Sequence, residues 1–277
     1  MKAYLDLLGR IYTRGVEKRP TRIESGQTKN KTIGLPHLRF DHDLADGFPF
    51  ITTRQMWWKG MAGELRSFIE GRMTQAEFEE NGCTFWKEWA NNLNDRGIFD
   101  PEAKQIYRKG DLGPVYGAQW NAHGQLDHVL SALKRGGDDR RMVVSAWRPD
   151  EHERMALPPC HVLWNVVVYG GKIHMHWHQR SCDFPVGVPT NIASYALLTH
   201  LLAKWSGLSV GGLSANFADA HIYENQHEGI VTQLSRSPHK LPMVHVEFKD
   251  DQDFESWTAY LSLYKYHPAI DFGELEV

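Results

Sequence analysis

The chain has 277 residues, 42% of them hydrophobic, and a net charge of −3. That length and apolar content suffice for a substantial core, and so small a charge sets up no basic field to draw the protein onto a nucleic acid polymer. Three cysteines at spacings unlike a zinc site, an N-terminus without an apolar leader, and no run of about 18 apolar residues point to a reducing, cytoplasmic setting with no membrane span.

Taken in chain order, Tyr4, Leu5, Leu8, Ile11 and Tyr12 recur at helical spacing and predict an amphipathic helix over 2–18. Residues 19–34 read as a loop, Leu38-Arg39-Phe40 as a short strand, and Asp46-Gly47-Phe48-Pro49 as a turn. A helix is expected over 55–70, carrying Glu64. A second is expected from Thr74 to Asn81, capped by Thr74 with Glu77 at the capping-box position. Residues 91–110 are polar and aperiodic, a surface insertion. Residues 124–136 read as a helix ending at Gly136-Gly137, and Arg141–Trp147 as a strand. His161–Tyr169 and Lys172–Gln179 form a hairpin through Gly170-Gly171. Asn191–Trp205 is the clearest helix, with Ile192, Tyr195, Leu198, Leu202 and Trp205 on one stripe and Gly207 placed to end it. Residues 243–249 and 260–265 read as strands. No repeat or low-complexity linker divides the chain, so a single α+β domain over 1–277 is expected.

The chemistry concentrates around Cys160, in Ala156-Leu157-Pro158-Pro159-Cys160-His161. A thiol between prolines and a histidine suits a nucleophile. Some twenty residues on, Gln179-Arg180-Ser181-Cys182-Asp183 and Asn191-Ile192-Ala193-Ser194-Tyr195 offer groups for a phosphate and for the edge of a base. Together they suggest covalent catalysis on a nucleotide. Cys83 and Cys182 read as structural. Arg140-Arg141 by itself reads as a solvated charge pair, and His221-x-Tyr223 as strand decoration. The alternating His174, His176 and His178 make a metal conceivable, but a polar strand face is the plainer reading and no metal is expected.

Six strings in order resemble the thymidylate synthase family over nearly the whole chain: Asp111-Leu112-Gly113-Pro114-Val115-Tyr116-Gly117, Asp139-Arg140-Arg141, Leu157-Pro158-Pro159-Cys160-His161, Gln179-Arg180-Ser181-Cys182-Asp183, Asn191-Ile192-Ala193-Ser194-Tyr195 and Asp219-Ala220-His221-Ile222-Tyr223. The resemblance implies an α+β fold with a mixed β-sheet packed by helices, and a homodimer formed through that sheet. It implies dUMP as substrate and 5,10-methylenetetrahydrofolate as cosubstrate. Cys160 matches the nucleophile, Glu64 the carboxylate that organises proton transfer, and Tyr116 a tyrosine near the proton lost from C5. Arg22, Arg180 and Ser181 match phosphate ligands, and Arg140 and Arg141 the pair that reaches the partner's phosphate. Asn191 matches the base reader, whose amide suits uracil; His221 and Tyr223 match ligands of the 3′-hydroxyl. Trp86, Trp89, Leu157, Asp183, Gly187 and Val277 match the folate pocket, with Asp183 holding the pterin.

The sequence also departs from the family's pattern. Arg22 falls in an altered loop. Leu65-Arg66-Ser67-Phe68 replaces Leu-Leu-Trp-Phe, Thr190 replaces the Phe before the base-reading Asn, and Asn225-Gln226 replaces Asn-His. The nucleotide shell is kept while the folate shell changes. Added hydroxyls at Ser67 and Thr190 favour water over hydride in the second half of the reaction. The expectation is therefore 5-hydroxymethylation of dUMP, as in phage hydroxymethylases of this family. Reductive methylation to dTMP is the alternative, and a non-catalytic nucleotide-binding protein stands below both.

Overall fold

The computed structural model describes residues 1–19, 31–90, 110–137 and 139–273 in full, and 91, 99–100 and 105–106 by backbone. Arg22, Val277 and most of the 91–110 insertion lie outside the described residues. Helix α1 (Lys2–Arg14) buries Tyr4, Leu7, Leu8 and Ile11, but it stops at Arg14 rather than at residue 18. Gly15 turns the chain into extended backbone, and Val16–Lys18 become the edge strand β1. A Cβ at position 15 would meet Ile33 Cγ2 at 2.4 Å, so glycine lets the helix close onto the sheet.

The strand read at Leu38–Phe40 is the middle of a longer one, β2 (Thr32–Asp43), which takes up the end of the expected 19–34 loop. Pro36 and the left-handed His37 (φ 53) interrupt its alternation and hide it in the sequence. β1 pairs only with Thr32–Gly34, so Pro36 lies beyond it, on edge backbone where a missing N–H is tolerated. Helix α2 (Trp58–Ile69) follows, then α3 (Gln75–Glu80) with the predicted Thr74–Glu77 capping box in place. Two short paired strands, β3 (Phe99–Asp100) and β4 (Gln105–Ile106), lie within the insertion. Helices α4 (Tyr116–Asn121) and α5 (Gln125–Lys134) lead to β5 (Val143–Ser145). The hairpin β6 (His161–Tyr169) and β7 (Lys172–Asp183) turns through Gly170 and Gly171, both at positive φ, and β7 extends to Asp183 rather than Gln179.

Helix α6 (Gly187–Ser206) begins at Gly187, not Asn191. Pro189 suggests a later start, but first-turn N–H groups have no intrahelical partner, so a proline there costs little. The expected single stripe is also too narrow: Val188, Ala193, Leu197 and Leu201 are buried along with Ile192, Leu198 and Leu202, because α6 runs through the core. Strand β8 (Ser209–Tyr223) is foreseen only at its end, where His221 and Tyr223 read as strand residues. Its Gly211-Gly212 pair weakens the strand signal, yet a Cβ at Gly211 would meet the His174 ring at 2.8 Å and Ile173 O at 2.9 Å. Helix α7 (His227–Ser235) and the hairpin β9 (Met243–Phe248) and β10 (Trp257–Ser262) complete the order.

The main sheet runs β1-β2-β8-β7-β6-β5. Its pairs are antiparallel except β7 with β8, so the sheet is mixed. Helix α6 packs on β7 and β8, where Tyr195 stacks on Trp177 with centroids 4.7 Å apart. Both rings are essentially fully buried, each contributing about 1.5–3 kcal/mol of apolar transfer. Register aligns Asn165, His176, Ser214 and Asp41 across the opposite face, all half-buried or exposed.

Candidate active site

Cys160 sits immediately before β6, where β7 and α4 converge. Its N–H donates to the Tyr116 hydroxyl oxygen at 2.6 Å, and the His161 N–H donates to the same oxygen at 3.3 Å. Tyr116 opens α4, with its ring 4.8 Å from Phe68 and 6.0 Å from Trp86. Burial first, and then the neighbouring Cys160, push the phenol well above its ordinary pKa, so it keeps its proton. With both lone-pair directions facing backbone donors, that proton remains to be directed at a ligand.

Arg180 lies on β7 and reaches back to the turn before Cys160. Its Nε donates to Pro159 O and one terminal nitrogen to Pro158 O, each at 2.9 Å, while its backbone N–H donates to Cys160 O at 2.9 Å. The guanidinium thus clasps the turn that presents the thiol and brings a fixed positive charge to that turn. Its other side lies over Trp147, 5.3 Å from the ring centroid. Ser181 is half-buried beside it. Cys182 and Cys83 are buried, with thiols pushed up chiefly by that burial, as befits structural cysteines.

Asn191 stands in the first turns of α6, and its Oδ1 accepts from Gln179 Nε2 at 3.2 Å. His161 is 7% exposed and hydrogen-bonds the Asn191 side chain. Burial lowers its pKa to about 4, so the imidazole is neutral. His221, on β8, places Nδ1 3.2 Å from Asp219 O and 3.6 Å from Asp219 Oδ1. That partner, with Lys18 at 2.6 Å, draws Asp219 down to about 2. The Tyr223 ring meets His221 edge-on at 5.3 Å.

Glu64, half-buried on α2, accepts from Trp86 Nε1 at 2.9 Å. Burial raises it to about 7 against the pull of that bond, a value suited to moving protons near neutrality. Trp86 is only 5% exposed and packs among Phe68, Phe78, Trp89 and Tyr116. Its largest visible service is therefore to hold Glu64, more than to offer an open stacking face. Asp183 ends β7; its Oδ1 accepts from Gln226 Nε2 at 3.0 Å, and burial raises its pKa. Gly187 leaves room beside it, since an added Cβ would meet only Asn191 Oδ1 at 3.8 Å and Asp183 Cβ at 4.0 Å. Leu157 and Trp89, also expected around the folate, are half-buried.

Arg140 and Arg141 are not brought to this cluster within the chain. Both are exposed, and Arg141, with an 85% exposed side chain, turns back to Asp139. Arg22 and Val277 lie outside the described residues. His176 bonds Ser214 Oγ at 3.0 Å and His174 accepts from Gly212 N–H at 3.0 Å. No group of three potential metal ligands gathers among the described residues.

The sequence reading left His161, Gln179 and Gln226 without roles. Gln179 is visible only as the first residue of the string Gln179-Arg180-Ser181-Cys182-Asp183, and Gln226 only as a departure from the family pattern. Gln226 supports Asp183 and also accepts from the Tyr223 N–H at 2.8 Å. Ser67 is fully buried, donating to Gly63 O at 2.9 Å and accepting from Asn81 at 3.1 Å, so its hydroxyl is sealed from any pocket. Arg66 stacks its guanidinium 4.1 Å from the Trp257 ring.

A family model described as Thymidylate synthase matches residues 2–274. That span takes in every described element and the whole cluster around Cys160, and members of this family use methylenetetrahydrofolate as cosubstrate for one-carbon transfer to C5 of dUMP. The chain belongs to the thymidylate synthase family.

Proposed function

We propose that this protein attaches a one-carbon unit to C5 of dUMP through a Cys160 adduct and that water completes the reaction, giving 5-hydroxymethyl-dUMP. The observation that carries the first half is the convergence on Cys160 of Tyr116 and the Arg180 clasp. Cys160 sulfur bonds to C6 of the uracil ring, and the displaced electron pair makes C5 the nucleophile. The bound folate supplies the carbon at the formaldehyde level. Glu64, poised near neutrality, exchanges protons at O4, and Tyr116, its oxygen held by the Cys160 and His161 N–H groups, uses its O–H to orient the group that takes the proton leaving C5. Asn191 reads O4 and N3–H, His221 and Tyr223 hold the 3′-hydroxyl, and Asp183 anchors the pterin beside Gly187. Arg180 and Ser181 take the phosphate, joined by Arg22. The exposed Arg140 and Arg141 suit a homodimer in which each pair serves the partner's phosphate.

The water step is supported by Thr190, a half-buried hydroxyl residue adjoining Asn191 on α6. The second reading, reductive methylation to dTMP, is favoured by the sealed Ser67 hydroxyl and by Trp86 in its packed place. Incubation with dUMP and methylenetetrahydrofolate, followed by mass analysis, separates the two. A gain of CH2O on the nucleotide upholds hydroxymethylation. A gain of CH2 with dihydrofolate formed establishes methylation, and no covalent adduct at Cys160 with a 5-fluorinated dUMP removes both.

A further inference from the structure

We propose that Trp177, acting through Gln179, is a specificity-determining residue that makes the site read uracil rather than cytosine; this rests on the reading of Asn191 given above. A side-chain amide such as that of Asn191 can serve either base. With Oδ1 toward N3 and the nitrogen toward position 4, it accepts from uracil N3–H and donates to O4. Turned over, it donates to cytosine N3 and accepts from the exocyclic amine. Discrimination therefore requires something that forbids the flip.

The structure supplies it as a chain of hydrogen bonds whose ends admit one polarity. Trp177 Nε1, an indole nitrogen that only donates, lies 3.3 Å from Gln179 Oε1. At the other end of the same amide, Gln179 Nε2 lies 3.1 Å from Ser181 O, a carbonyl that only accepts. These two neighbours independently fix which end of Gln179 is nitrogen. That nitrogen also faces Asn191 at 3.2 Å, so the atom of Asn191 it meets must be the oxygen. The amide of Asn191 is thereby set with its oxygen on the Gln179 side, whichever way His161 bonds to it. His161 does not decide the matter, since a neutral imidazole has one donor and one acceptor and accommodates either orientation. Gln179 is 3% exposed and Trp177 fully buried, so water is a poor substitute partner for either. The indole ring is itself pinned by its stack on Tyr195.

The test compares kcat/KM for dUMP and dCMP on the same preparation, so that any loss of folded protein cancels in the ratio. Trp177→Phe keeps an aromatic ring against Tyr195 and deletes the indole N–H. Its preference for dUMP should fall roughly fivefold to tenfold, the scale of one neutral hydrogen bond, with the change carried by a lower KM for dCMP. Gln179→Met should lower the preference at least as far, and the double variant no further, since the two residues act in series. Calorimetric binding of dUMP and dCMP gives the same comparison without turnover. If Trp177→Phe or Gln179→Met weakens both nucleotides in equal proportion, the inference is overturned and the residues are packing alone. Should Trp177→Phe fail to fold, Gln179→Met decides by the same ratio. A wild-type protein that binds neither nucleotide, or prefers dCMP, removes the base reading itself along with this inference.

Discussion

Glu64→Gln should cost the enzyme its activity and make the fold more stable, with a gain that grows with pH. Burial lifts the Glu64 carboxyl from its ordinary 4.5 to about 7. Below pH 4.5 the group is protonated in folded and unfolded chains alike, and it costs nothing. Between 4.5 and 7 the unfolded chain ionises first, the native state binds the extra proton, and stability falls as pH rises. Above pH 7 the full penalty is present. A rise from 4.5 to about 7, at about 1.4 kcal/mol per pH unit, sets it at roughly 3 kcal/mol. That is an upper figure, because water reaches part of the half-buried side chain. Glutamine is neutral at every pH and its amide oxygen still accepts from Trp86, so the variant escapes the penalty while keeping the packing. Urea unfolding of both proteins at fixed concentration, at pH 4.5, 6 and 8 (test conditions), reads the difference. For a chain of about this size each kcal/mol also moves Tm by about 2–4 °C. A gap that is constant across pH, or a variant less stable than wild type at pH 8, would falsify the placement of this carboxylate as a desolvated acid.

Two more outcomes follow from the same geometry. Tyr116→Phe leaves the Cys160 and His161 N–H groups without their shared acceptor; kcat should fall about 10²-fold with a smaller change in KM for dUMP, and steady-state kinetics showing an unchanged kcat would sink the assigned role. Gln226→Leu removes the amide that holds Asp183 down against burial, so the Asp183 pKa rises further. Its stability loss, about 1–3 kcal/mol, should grow as pH rises, because a carboxyl pushed further up costs stability only where it ionises; a loss independent of pH would show that Gln226 serves only the Tyr223 N–H.

Much of the fold was legible because it is set by local chemistry. Thr74 and Glu77 cap α3 as expected, Gly170-Gly171 turns the β6–β7 hairpin, and Gly207 ends α6 at φ 73. What failed to show were features whose cause lies across the chain. Strand β8 is held by neighbours on both sides rather than by its own propensity, and β2 hides behind Pro36 and His37.

The identity of the reactive groups was available from residue order alone, since a thiol, a guanidinium and an amide bring their chemistry wherever they stand. Cys160, Arg180 and Asn191 stand out by their chemistry and Tyr116 only through the family resemblance; the folded chain brings Tyr116 and Arg180 to the turn at Cys160 and Asn191 to His161. Their state was not available, because pKa and hydrogen-bond polarity depend on what surrounds a group in space. Only packing reveals that Glu64 titrates near neutrality under Trp86, that the Ser67 hydroxyl is spent inside α2, and that an indole fourteen positions before Asn191 fixes which way its amide points.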